Sequence, residues 1–108
     1  MDLSPSQIAT LHRLHARGLE IVAFPMYENL IGIRKGNCAA LLSPTAADGF
    51  QMQGSPTYLV AGNLSARVLR SDGHYFVRKQ DELKATPERL AELDAFAAEL
   101  AEGLLPVA

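Results

Sequence analysis

The chain has 108 residues, 48% of them apolar, which is enough for one hydrophobic core and too little for two, so residues 1–108 form a single domain. A charged fraction of 20% and a net charge of −2 supply no field that would gather nucleic acid or an acidic bilayer, and no apolar run reaches the roughly 18 residues of a membrane span. The opening MDLSPSQIATLHR lacks the basic-then-apolar order of an export signal, and the single cysteine, Cys38, excludes an internal disulfide framework, so a soluble, cytoplasmic protein is expected.

Ser4-Pro5-Ser6-Gln7 supplies an N-cap, a proline at the first helical position and a glutamine three residues past the cap. A helix over 5–17 follows, with Ile8, Leu11 and Leu14 on one face, Arg13 and Arg17 opposite, and Gly18 as its left-handed terminator. His12 and His15 are neighbours on that helix, but nothing in the sequence brings His74 or Cys38 to them as a third ligand. No metal and no cofactor is expected.

Strands over 19–24, 29–34 and 38–42 make a first meander, the last two joined by Lys35-Gly36-Asn37. Cys38 opens the third strand with no histidine assignable to activate it, so it reads as a small apolar side chain facing the core. Residues 25–29, with Met26, Tyr27 and Glu28, and 49–53, with Phe50 and Met52, bring aromatic and methionine side chains to connections. Such residues line ligand pockets or cap a core, and Tyr27 and Glu28 are the polar handles of any pocket. The second of these segments lies in a long loop, 43–56, rich in Ser, Pro and Gly.

A second meander, 57–79, has strands over 58–61, 64–70 and 74–79, punctuated by Gly62-Asn63 and Asp72-Gly73. If both pairs are two-residue turns, Ala61, Leu59 and Thr57 face Leu64, Ala66 and Val68 on the core side. Leu69 then faces Phe76, and Arg67 faces Arg78, on the outer side beside Tyr58. Two opposed arginines repel unless an anion or a carboxylate intervenes, which makes Tyr58, Arg67 and Arg78 a candidate anion site. Alternatively both guanidinium groups splay into solvent or pair with the C-terminal helix; a three-residue turn at 71–73 would abolish the pairing. The same outer row carries Val60, Leu69 and Phe76, an apolar surface that needs a cover, either a second copy in a two-fold dimer or closure of the sheet around a small ligand.

Thr86-Pro87-Glu88 starts a helix over 87–104, with Leu90, Leu93, Ala97, Leu100 and Leu104 as its stripe, Phe96 flanking it, and Gly103 and Pro106 ending it. Residues 1–79 hold eight Lys or Arg against five Asp or Glu, whereas 80–108 hold two against seven, so a basic sheet meets an acidic helix. The elements assemble as an α+β domain: a mainly antiparallel sheet of about six strands, in two three-strand meanders, with both helices on one face. No set of reacting groups appears at catalytic spacing. The reading is a non-catalytic binding or protein-interaction domain acting as a homodimer, with a small-molecule sensor or carrier, its pocket between sheet and helices, as the alternative.

Overall fold

The computed structural model describes residues 2–24 and 26–104; Pro25 and Pro106 lie outside them. Helix α1 spans Pro5–Ala16 and helix α2 spans Pro87–Leu104. The capping box forms as expected: Ser4 Oγ accepts from the Gln7 amide at 3.2 Å, and Gln7 Oε1 accepts from the Ser4 amide at 2.9 Å. Gly18, at φ +88°, turns the chain out of α1, and Leu19 drops into the core behind it. At α2, Thr86 Oγ1 accepts from the Arg89 amide at 3.3 Å.

The chain is α+β, as its pattern predicts, but its strands number eight among the described residues and form two sheets, where the sequence suggested one sheet of about six. The first sheet holds β1 (Glu20–Val22), β2 (Ile31–Lys35), β3 (Cys38–Pro44), β4 (Phe50–Met52) and β5 (Thr57–Tyr58). The second is an antiparallel meander of β6 (Ala66–Arg70), β7 (Gly73–Arg78) and β8 (Asp81–Lys84).

β3 is the centre of the first sheet. It pairs with β2 along one edge, and β4 and β5 follow one another along the other. Leu42 faces Met52 while Cys38 faces Tyr58, so four steps along β3 are matched by six along its partner. The surplus is taken up by 53–56, where Gly54 adopts φ +73°. The segment 43–56 is therefore part hairpin and part bulge, rather than a free loop between meanders.

Cys38 through Leu42 are all buried, because alternating side chains point to two covered faces. Cys38, Ala40 and Leu42 join Leu14, Leu93, Phe96 and Leu100 in the core between the sheet and both helices. The α2 stripe thus packs on its own fold, with Phe96 at its centre rather than at its flank. Gly103 lies inside α2, where a Cβ would run into Leu14 of α1; it serves close helix approach and not termination.

Turn chemistry accounts for the strand-pairing errors. The turn before β6 is Ala61-Gly62, closed by a bridge between Val60 and Asn63, so the expected Leu59–Ala66 and Thr57–Val68 pairs do not form. β5 pairs with β3 instead. The turn before β7 is Ser71-Asp72, and Arg70 faces Gly73, which shifts the pairing of β6 and β7 by two residues. β8 carries one half-buried apolar residue, Leu83, among charges, and Lys79 enters the preceding turn at φ +55° without any glycine to announce it.

The second sheet leans on the first through Phe76, which is fully buried, and through Leu83 and Ala85. The molecule is elongated, 46 × 27 × 20 Å, with a radius of gyration of 14.5 Å. A compact chain of this length would have about 13 Å. No helix among the described residues is long and apolar enough to cross a membrane.

Candidate functional site

Tyr58 is a structural pin and not an exposed ligand contact. Its hydroxyl donates to Glu92 Oε2 at 2.9 Å and accepts from Asn37 Nδ2 at 3.3 Å. Its ring stacks on Phe76, with centroids 5.3 Å apart and planes at 20°. One buried side chain thus joins β5, α2, the β2–β3 turn and the second sheet.

The expected opposition of Arg67 and Arg78 does not occur. Arg67 faces Phe76 and Arg78 faces Asp81, because the Ser71-Asp72 turn moves the register by two places. Both arginines stay on the Phe76 side of the sheet, since a shift of two preserves side-chain direction. Val60 and Phe76 also leave the proposed outer row: they are 6% and 0% exposed, whereas Leu69 is 73% exposed. Of those three apolar residues, only Leu69 is on the surface.

Along the seam between the sheets, three adjoining depressions share lining residues. Phe24, Met26, Tyr27, Leu64 and Arg78 line the first; Tyr27, Leu41, Gln53 and Leu64 line the second, of about 150 Å³. Ser55, Pro56, Thr57, Ser65, Arg67 and Phe76 line the third, of about 370 Å³. Tyr27, Arg67 and Arg78 therefore belong to one furrow. Glu28 is exposed and lines none of it, and Phe50 is half-buried against the core.

Two of the furrow's hydroxyl groups, those of Thr57 and Ser65, are committed to the backbone. Thr57 Oγ1 donates to Ser65 O at 2.9 Å and Ser65 Oγ donates to Tyr58 O at 2.6 Å, while the two hydroxyl oxygens stand 2.8 Å apart. Each hydroxyl has a single proton, so neither retains one for a ligand.

A separate cleft of about 340 Å³ lies between the β2–β3 turn and α2, floored by Cys38, Ala95 and Phe96 and flanked by Glu92 and Glu99. Lys35 Nζ reaches Glu99 Oε2 at 2.7 Å across it. Burial, with the nearby Glu92 charge, pushes the Cys38 thiol up to about 11, so it is protonated at neutral pH. Among the described residues no three His, Cys, Asp or Glu side chains come together as a metal site.

At the outer border of the second sheet, β6 is an edge strand with four of its five residues exposed. Its neighbour β7 fixes which backbone groups face outward. His74 O accepts from the Ala85 amide at 2.9 Å, so His74 turns its polar groups toward the β8 side. Leu69, opposite His74, and Arg67, two residues back, consequently direct N–H and C=O to the open border.

Sequence reasoning missed Glu92, Asn37 and Gln7 as polar organisers. Gln7 was legible only as half of a capping box, yet its Nε2 also donates to Thr45 O at 3.2 Å and Gly49 O at 3.0 Å. The chain matches no family model, no curated protein and no solved structure.

Proposed function

We propose that the chain is a non-catalytic protein-interaction domain that works as a homodimer, with the β6–β8 sheet as its docking element. The observation that carries this reading is the open border of β6. A five-residue strand leaves its outward backbone groups unpaired by any other strand among the described residues and presents Leu69 at 73% exposure. Elsewhere the polar chemistry serves the fold: Tyr58 bonds both Glu92 and Asn37, and Gln7 holds a hairpin. The protonated, buried Cys38 supplies no nucleophile. A single buried thiol suits a reducing compartment such as the cytoplasm.

Light scattering over a concentration series tests this reading. A mass of twice the 11.7 kDa chain supports it, and a mass of one chain throughout, with no partner retained, removes it. The small-molecule alternative draws on the 340 Å³ cleft beside α2 rather than on Phe50 or the 43–56 segment. A compound that co-purifies and raises the melting temperature, with the effect lost in Phe96→Ala, would favour that alternative.

A further inference from the structure

We infer that the partner of the β6 border is β6 of a second copy, paired antiparallel about a two-fold axis at Val68. This rests on the interaction-domain reading and names its surface and register.

The other borders are poor templates. β1 has three residues; the β4–β5 border is broken by 53–56, which includes Pro56; β8 presents Asp81, Glu82 and Lys84. Among the described residues Ala66–Arg70 is the longest uninterrupted edge strand, and it has neither proline nor acid.

A two-fold axis normal to the sheet must pass through a residue, because paired side chains have to lie on the same face. Centring it on Val68 gives the longest overlap. Arg67 then faces Leu69 of the second copy, and Arg70 faces Ala66, so no arginine directly opposes another. Centring it on Arg67 would oppose Arg67 to itself. Arg70 is already held on its own chain by Glu82 and lies over the Tyr75 ring at 5.5 Å.

The backbone agrees with this register. Arg67 and Leu69 turn their polar groups outward, and in the Val68-centred pairing these two residues exchange hydrogen bonds, which the axis repeats. Leu69 gains the aliphatic stem of Arg67 from the second copy as its cover. On the opposite face, half-buried Val68, Tyr75 and Val77 become continuous with the same residues of the second copy.

Cysteine cross-linking tests the register. Under mild oxidation Val68→Cys should give roughly tenfold more disulfide dimer than Leu69→Cys, because only position 68 faces itself. Native Cys38 is buried and stays out of the reaction. Leu69→Pro removes an outward N–H and should shift the wild-type dimer to monomer while keeping the far-ultraviolet spectrum. Raising salt should tighten the dimer, since the two Arg67 side chains are diagonal neighbours. A dimer in which Val68→Cys cross-links no better than Leu69→Cys overturns the β6 register and leaves the interaction-domain reading standing. A dimer that loosens with salt also overturns it, and points to an oppositely charged surface. A chain that is monomeric at every concentration overturns both.

Discussion

Replacing Gln7 probes how the N-terminus of α1 is tied to the sheet. Gln7 is 4% exposed; its Nε2 donates to Thr45 O at 3.2 Å and Gly49 O at 3.0 Å, and its Oε1 accepts from the Ser4 amide. Gly49 O also receives the Thr45 amide at 2.9 Å, so truncation orphans Thr45 O and the Ser4 amide but not Gly49 O. Orphaning these two groups at about 1–1.5 kcal/mol each, the Ser4 amide being the lost half of the capping box, gives about 2–3 kcal/mol for Gln7→Ala. For a domain of this size that corresponds to a fall of roughly 10–15 °C in melting temperature.

Gln7→Glu keeps the shape but aims a carboxylate at two carbonyl oxygens, which raises the folded-state pKa of the new side chain above its unfolded value. Whatever stability the protonated form retains is fully present below the unfolded glutamate value of about 4.3 and is lost as pH rises through the higher folded value. Gln7→Glu should therefore cost more than Gln7→Ala at pH 7.5 and no more than Gln7→Ala near pH 4. Urea unfolding followed by circular dichroism at the two pH values measures this. Equal costs for Gln7→Glu and Gln7→Ala at both pH values would refute the assigned hydrogen bonds.

Gly32→Ala should destabilise by about 1–3 kcal/mol, because a Cβ there would meet Phe24 Cε2 at 2.5 Å and Val22 O at 2.7 Å; an unchanged melting temperature would contradict the close packing of Phe24 over the strand. Cys38, with its thiol raised to about 11, should react with iodoacetamide at pH 8 far more slowly in the native protein than in urea; equal rates would contradict its burial. The Tyr75 hydroxyl donates to Asp72 at 2.7 Å, holding that carboxyl below its ordinary value and pushing the phenol up. This local contribution is present above the unfolded Asp pKa and lost as pH falls through the depressed one, and it is also lost as pH rises through the raised Tyr75 value. By NMR, Asp72→Asn should lower the Tyr75 titration point, and no change would contradict the contact.

Helix starts were legible because their signals are local. Ser4 with Gln7, and Thr86 with Pro87, satisfy backbone groups within one turn, so sequence spacing states the geometry directly. Strand pairing was less legible because it depends on turn position. Moving the turn from Asp72-Gly73 to Ser71-Asp72 shifted the register by two, separating Arg67 from Arg78 and setting Arg67 against Phe76. β8 was invisible for a different reason: Asp81, Glu82 and Lys84 leave only Leu83 as an apolar marker, the composition of a guarded edge. Tyr58 and Phe76, read as surface residues, are the contact between the two sheets, and no single-strand pattern shows that a second sheet will cover a face. Leu69 alone of the suggested dimer residues remained exposed, and it marks the border on which the proposal rests.

The most direct measurement is amide hydrogen exchange at Arg67 and Leu69 at low and high protein concentration. These two amides, which point to the open border, should exchange rapidly in dilute protein and become protected as concentration rises, while those bonded within the sheet change little. Fast exchange at both positions in a sample shown to be dimeric would contradict the β6 edge as the docking surface.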